Sequence, residues 1–433
     1  MRILIISQEV WRNDQNGGNV LTNLFRSFEE LAGQNESMEF AQIYCAEGIP
    51  QNQICRHYYQ ITDHMVVNNV LHRDQTTGRE FYTTGDSESK CADQPDGFQT
   101  LKKHRLESFL VAKEMAWKLS GWNNDSFRSF ITSFNPDVIF APSYGWLYMQ
   151  KLTRVVKALT DKPVISYISD DFFSNRQFRF SPIFWMRHFL LRHSIRKTFR
   201  CYDLVYTMTE EQKKQCEKAF GANMKVLLKS ADFSATPLKQ TVNDPIRLVY
   251  GGNLYQNRDR TLCRLADAIR EINRDGVRMT LDVYSNSALS KQSEQSLNDT
   301  VSTRLHKAVP QAELAEIYRQ SDIALHAEGF DLKSRLVVRL SFSTKIIDCL
   351  ASGCATMAIC HPSQSGYRYL KRNDLAICCD SLNQLSAVLR GIQTDPKALF
   401  EVQHRAVAFG KANHDESRIA RGIYQDFSRI CQP

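Results

Sequence analysis

Two places in the chain carry the same short pattern: an apolar, β-branched run, then a pair of glycines, then a segment with helical periodicity. The first is the run over residues 3–6, followed by Gly17-Gly18 and the stretch 19–31. The second is the run over 246–250, followed at once by Gly251-Gly252 and the stretch 261–274. A buried strand followed by an amphipathic helix returns the chain to lay its next strand parallel to the first, so the pattern restricts the fold to layered α/β architectures. The alternation continues, with further strands predicted over 138–141, 164–168, 204–207, 225–228, 279–284, 323–326, 355–359 and 375–378. Helices are predicted over 101–119, 152–160, 311–320 and 344–350.

The pattern restarts after 234–244, a stretch holding Pro237 and Asn243, just before Pro245, with no apolar periodicity. Two Rossmann-like units follow from this. One covers 1–235 with an irregular, polar insertion over 45–100, and the other covers 245–410. The piece 415–433 carries Ile419, Ile423, Phe427 and Ile430 at helical spacing. Two or three domains are what 433 residues predict. The composition, 42% hydrophobic and 24% charged, excludes a disordered or disulfide-stapled chain.

A net charge of +8 suits an anionic ligand or surface but is too dilute to indicate a nucleic-acid binder. No apolar run approaches the ~18 residues of a membrane span, and the N-terminal run is too short for a signal-peptide core, so a cytoplasmic protein is expected. The twelve cysteines are scattered without a Cys-x-x-Cys, and the eleven histidines form no zinc pattern. Neither a metal nor a cofactor is expected.

Several groups of residues could carry chemistry. Gly17 and Gly18 open a predicted helix whose N-terminal amides could receive an anion, although a lone Gly-Gly pair is a weak signal and a plain strand-to-helix turn is the better explanation of it. Gly252 and Asn253, with Arg258 a few residues on, could hold a phosphate through backbone and guanidinium; solvated arginines are the alternative. Glu328 leaves a predicted strand end, where open α/β sheets bind ligands. Ser343, Thr344 and Lys345 begin a helix, and Asp348 lies on the same face as Thr344, placed to accept from a ribose. Asp170 and Asp171 follow another strand end, where they could orient an acceptor hydroxyl or serve as a base, or cap a helix.

These features together resemble the GT-B glycosyltransferases, specifically the retaining, nucleotide-sugar-dependent family 4 of bacterial polysaccharide assembly. The segment 313–330, ending in His326-Ala-Glu328-Gly-Phe330, is similar to that family's approach to its donor-site glutamate. Lys345-Ile-Ile-Asp348-Cys-Leu-Ala-Ser-Gly353 is similar to the helix whose acidic residue holds the donor ribose. The family separates its two acidic residues by seven positions; here Glu328 and Asp348 stand 20 apart, with 331–342 inserted. Asn253 and Arg258 stand where the family has Arg and Lys.

The resemblance implies two Rossmann-like domains facing across a cleft, with the C-terminal helix crossing back to the first. It also implies a nucleoside-diphosphate sugar in the second domain and a glycan or lipid-linked acceptor in the first. Gly252, Arg258, Ser343 and Lys345 would stabilise the leaving diphosphate, Asp348 would hold the ribose, and Glu328 would contact the sugar. A GT-B epimerase or phosphorylase, or a non-catalytic partner subunit, would use the same fold.

One stretch lies outside this scheme. Residues 178–199 interleave Trp185 and other large apolar residues with Arg187, Arg192, Arg196 and Lys197. A basic aromatic helix suits an anionic membrane surface, and a buried helix with a basic rim explains the same residues.

Overall fold

The computed structural model describes residues 1–13, 16–33, 37–73, 76–83, 107–234 and 236–432. Residues 84–100 of the expected insertion and 101–106 of the expected helix lie outside them. The first sheet has eight strands: β1 (Arg2–Ser7), β2 (Glu39–Tyr44), β3 (His57–Gln60), β4 (Arg79–Tyr82), β5 (Val138–Phe140), β6 (Val164–Ile168), β7 (Leu204–Thr207) and β8 (Met224–Val226). Their order is β4-β3-β2-β1-β5-β6-β7-β8, parallel throughout except for the antiparallel β3–β4 edge. The second sheet is wholly parallel. It contains β9 (Ile246–Gly251), β10 (Met279–Tyr284), β11 (Thr303–His306), β12 (Ile323–Ala327), β13 (Ala355–Ile359) and β14 (Ile377–Cys379), in the order β11-β10-β9-β12-β13-β14.

Helices cover both faces of each sheet, which explains the unbroken apolar runs: Ile3 to Ser7 of β1 and all five residues of β12 and of β13 are buried. Strand order reverses beside the first strand of each sheet, between β1 and β5 and between β9 and β12. Loops leaving those paired strands diverge to opposite faces and open a crevice at the carboxyl ends. The two crevices face one another.

The helix Glu416–Cys431 crosses back onto the first sheet. Its Phe427 packs edge-on against Phe25 and Phe28, with ring centroids 5.7 and 5.4 Å apart, in the cluster that holds Ile3, Ile5 and Phe140. Tyr206 donates to Asp426 at 2.7 Å, and Lys225 pairs with the same carboxylate at 2.6 Å. The two polypeptide crossings between the units run side by side, with Ala231 bridged to Asp415.

Two expectations are corrected. The stretch expected to be irregular from residue 45 contains β3, the helix Asp63–Leu71 and β4, which extend the first sheet. The expected 19–31 helix is two helices, Asn16–Phe25 and Phe28–Ala32. A further finding concerns the insertion 331–342, which ties the second unit to the first. After the helix Leu332–Val337 it sends Leu340 into the first unit's core, among Phe173 and Cys216, and Arg339 onto Asp171.

Candidate active site between the two sheets

A cleft of about 1500 Å³ separates the carboxyl ends of the two sheets. From the second sheet it is lined by Gly251, Gly252, Asn253, Arg258, His326, Glu328, Ser343, Thr344, Lys345 and Asp348. From the first come Glu9, Tyr144, Tyr167, Asp170 and Phe172. All the donor-side residues expected from the sequence therefore meet in one place.

The centre of the donor side is an ion pair. Arg258 opens the helix Arg258–Ile272, and Glu328 follows β12; Arg258 Nε and Nη2 donate to the two Glu328 oxygens at 2.8 and 2.9 Å. The loops that carry them are tied together. Asn257 donates to Asp331 at 2.7 Å, and Ser334 donates to the Gln256 carbonyl at 2.8 Å. Glu328 is only 4% exposed, so its carboxylate is committed first to the guanidinium. Burial works against the Arg258 charge, but the Glu328 carboxylate outweighs it and holds the Arg258 pKa above its ordinary value.

Lys345 supplies the second cation. Its ammonium donates to Tyr250 Oη at 2.9 Å and lies 4.5 Å from the centre of that ring, while Tyr250 donates onward to the Asn253 carbonyl at 2.8 Å. Burial, followed by the nearby Arg258 charge, pulls the Lys345 pKa down to about 8. Gly252 makes this possible: its φ is +132°, and a β-carbon there would lie 2.1 Å from Lys345 Nζ. No side chain fits between that backbone and the ammonium. His326, close by and fully buried, has its pKa lowered to about 4 by desolvation, so it is neutral at physiological pH.

Ser343 and Thr344 line the cleft, but Thr344 forms no side-chain cap bond at the start of the short helix Lys345–Leu350. Asp348 sits on that helix, half-exposed toward the cleft, and pairs at 2.5 Å with Lys229. Lys229 comes from the crossing that follows β8 and escaped the sequence reading, because no local pattern marks a linker lysine. Tyr250 and His326 were hidden differently, as ordinary members of apolar strands.

On the acceptor side the two aspartates part company. Asp170 lines the cleft and accepts from Ser341 at 3.1 Å. Asp171 does not line it. Asp171 accepts from Ser174 Oγ and from Arg339 Nη2, both at 2.8 Å, and its side chain is buried in that ion pair. A base role for Asp171 is thus corrected to a structural one. Gly17 and Gly18 lie inside the first turn of Asn16–Phe25 rather than in a loop before a helix.

The basic aromatic helix, Pro182–Phe199, is also sorted by the structure. Arg187 pairs with Glu107 at 3.4 Å, Arg192 donates to the Phe173 carbonyl at 2.5 Å, and Trp185 donates to the Arg179 carbonyl at 3.1 Å. Arg187 and Arg192 are thereby engaged within the protein, which removes them from any surface patch, while Trp185 is half-buried and its bond lies at the surface. Arg196 and Lys197 remain exposed. The same face leaves Phe180, Ile183, Met186, Phe189 and Leu190 open, Phe180 at 86% exposure.

No protein-family model matches the sequence, and no curated protein does. Solved structures do match along the whole chain. Sucrose-phosphate synthase from Thermosynechococcus elongatus aligns with a TM-score of 0.61 at 11% identity, over 99% of this chain and 98% of its own. Anabaena HepE in complex with UDP aligns at 0.63 and 12%, over 99% and 100%. An α,α-trehalose-phosphate synthase (UDP-forming) from Burkholderia vietnamiensis aligns at 0.59 and 10%, over 99% and 98%. Such identities bear on architecture: two facing parallel sheets, a cleft between their carboxyl ends and a returning C-terminal helix give this chain the GT-B fold.

Proposed function

We propose that the protein is a glycosyltransferase that moves a sugar from a nucleoside-diphosphate sugar to a glycan or lipid-linked acceptor, with retention, in cell-surface polysaccharide assembly. The observation that carries this reading is that Arg258, Lys345 and the Gly252 backbone line the same wall of one cleft, with Lys345 Nζ against Gly252, and that a second unit closes this cleft. When a glycosidic bond to a diphosphate breaks, negative charge grows on the leaving oxygens, and fixed cations in a low-dielectric cleft stabilise it more than they stabilise the ground state. In this reading Arg258 and Lys345 do this without a metal, Glu328 anchors Arg258, Asp348 receives the ribose, and Asp170 orients the acceptor hydroxyl. In this reading the backbone amides at Gly17 and Gly18, in the first turn of Asn16–Phe25, receive an anionic group of the substrate. That HepE, which shares the fold, was solved in complex with UDP supports a nucleotide ligand for this chain.

The test is thermal stability against UDP, GDP, TDP, CMP and ADP, with and without Mg²⁺. A ligand that binds only the folded chain at about 100 times its Kd adds about 2.7 kcal/mol. Stabilisation by one diphosphate, equal with and without Mg²⁺, is expected. No stabilisation by any of them would overturn the transferase reading in favour of a non-catalytic subunit.

We further propose that the protein works at the inner face of a membrane, docked through the exposed apolar face of Pro182–Phe199. Among the described residues no helix is long and apolar enough to cross a bilayer. Exposed aromatic and aliphatic side chains beside Arg179, Arg196, Lys197 and Arg200 suit the boundary of an anionic bilayer, where each cation contributes about 1 kcal/mol.

A further inference from the structure

Lys229 has no place in the chemistry outlined above, yet it reaches into the cleft and meets the one acidic side chain assigned to the ribose. Its ammonium stands 2.5 Å from Asp348 Oδ1, with the lysine side chain 18% exposed and the aspartate 38% exposed. An ion pair with its carboxylate partly open to water adds little to the stability of the fold. Its effect on geometry is larger. One oxygen of Asp348 is held by the ammonium, which restricts the carboxylate's rotation, while the residue lines the cleft and keeps Oδ2 and a second lone pair on Oδ1 as acceptors for a ligand there. A vicinal diol requires two acceptors at a fixed separation, and a carboxylate held in one rotamer offers them without losing that freedom on binding.

The backbone of Lys229 is fixed as well. Its carbonyl lies 3.1 Å from His414 Nδ1, and His414 Nε2 lies 2.5 Å from Tyr369 Oη. A carbonyl can only accept, so Nδ1 carries the proton and Nε2 accepts from the phenol, the arrangement of a neutral imidazole. Burial lowers the His414 pKa, in keeping with that form. His414 belongs to the second crossing between the units, and Ala231, two residues beyond Lys229, bridges to Asp415. The ammonium therefore projects from the point where both crossings are pinned together.

From this geometry we propose that Lys229 is a positioning residue for the donor, holding the Asp348 carboxylate to receive the two ribose hydroxyls. Recognition of the ribose is thereby tied to the junction between the units. This rests on the nucleotide-sugar reading. Asp348 supplies the hydrogen bonds and Lys229 supplies their direction.

The experiment compares UDP and GDP with their 2′,3′-dideoxy counterparts by calorimetry, in the wild-type protein, Lys229→Met, Lys229→Arg and Asp348→Asn. Two hydrogen bonds to a charged acceptor should make the wild type prefer the ribonucleotide by at least about tenfold. Lys229→Met should reduce that preference about as far as Asp348→Asn does, while its affinity for the dideoxy form stays within about twofold of wild type. Lys229→Arg should restore most of the preference, which separates positioning from a failure to fold. A wild-type preference that Lys229→Met leaves intact would overturn this proposal alone. Equal loss of ribo and dideoxy affinity would overturn it too, by making Lys229 a phosphate contact. If the wild type bound none of the four, nor TDP, CMP or ADP, the nucleotide-sugar reading would fall and this proposal with it; binding of ADP alone would move the same comparison to ADP and its 2′,3′-dideoxy counterpart.

Discussion

Lys345 is buried against an aromatic ring and a guanidinium, and that setting makes a pH prediction. Its pKa of about 8 in the free cleft means the ammonium is charged below that pH and is lost above it. A bound diphosphate favours the charged form, so affinity for a nucleoside diphosphate should be level below about pH 8. It should then weaken by up to tenfold per unit as pH rises past 8 toward the ordinary lysine value. Calorimetry between pH 7 and 9.5 checks this. Lys345→Met should bind weakly and without the slope; a slope that persisted in the variant would assign it to another group. Much at this scale was legible in advance, because Glu328, Lys345 and Asp348 sit in a recognisable run of sequence and converge as that run implies. The partners were not. That Glu328 spends both oxygens on Arg258 depends on a contact 70 residues away in sequence, and no local spacing reports which of two adjacent aspartates turns inward.

At the scale of elements, the segment 331–342 links the units. It places Arg339 in the first unit, where Nη2 reaches Asp171 and Gln215 at 2.8 and 3.0 Å, and seats Leu340 in the first unit's core. Removing one partner of a buried pair leaves an uncompensated charge, at a cost of about 3–5 kcal/mol. Arg339→Ala should therefore lower the denaturation midpoint sharply, and Arg339→Ala with Asp171→Asn should recover part of the loss. A double variant no better than the single would refute the pairing. The parallel strands with continuous apolar runs were readable because burial on both faces demands them. The strands that escaped were β2, β3, β4 and β11. In β2 the run is broken by Gln42, which is buried and donates to Ser7 Oγ at 2.7 Å. A satisfied polar group inside a strand looks, in sequence, like a loop residue.

The whole molecule presents one face unlike the rest, where Phe180, Ile183, Met186, Phe189 and Leu190 stand open beside cations. The wild-type protein should sediment with vesicles containing phosphatidylglycerol and stay in solution with purely zwitterionic ones. Replacing Phe180, Met186 and Phe189 together by Ser should abolish sedimentation without altering nucleotide binding, and wild-type protein that ignored anionic vesicles would end the membrane reading. The returning helix has a consequence of a different kind. Phe427 completes the aromatic cluster begun by Phe25 and Phe140, and Cys431 Sγ lies 3.7 Å from Met1 Sδ. During synthesis the ribosome makes strand β1 long before that helix. At roughly 5–20 residues per second, the interval between Phe140 and Phe427 is on the order of a quarter of a minute to a minute. Through that interval the first unit has an open seam, while the second unit, whose core draws on none of the helix, can already be complete. Of the two units, the one made earlier is thus the one that finishes folding later.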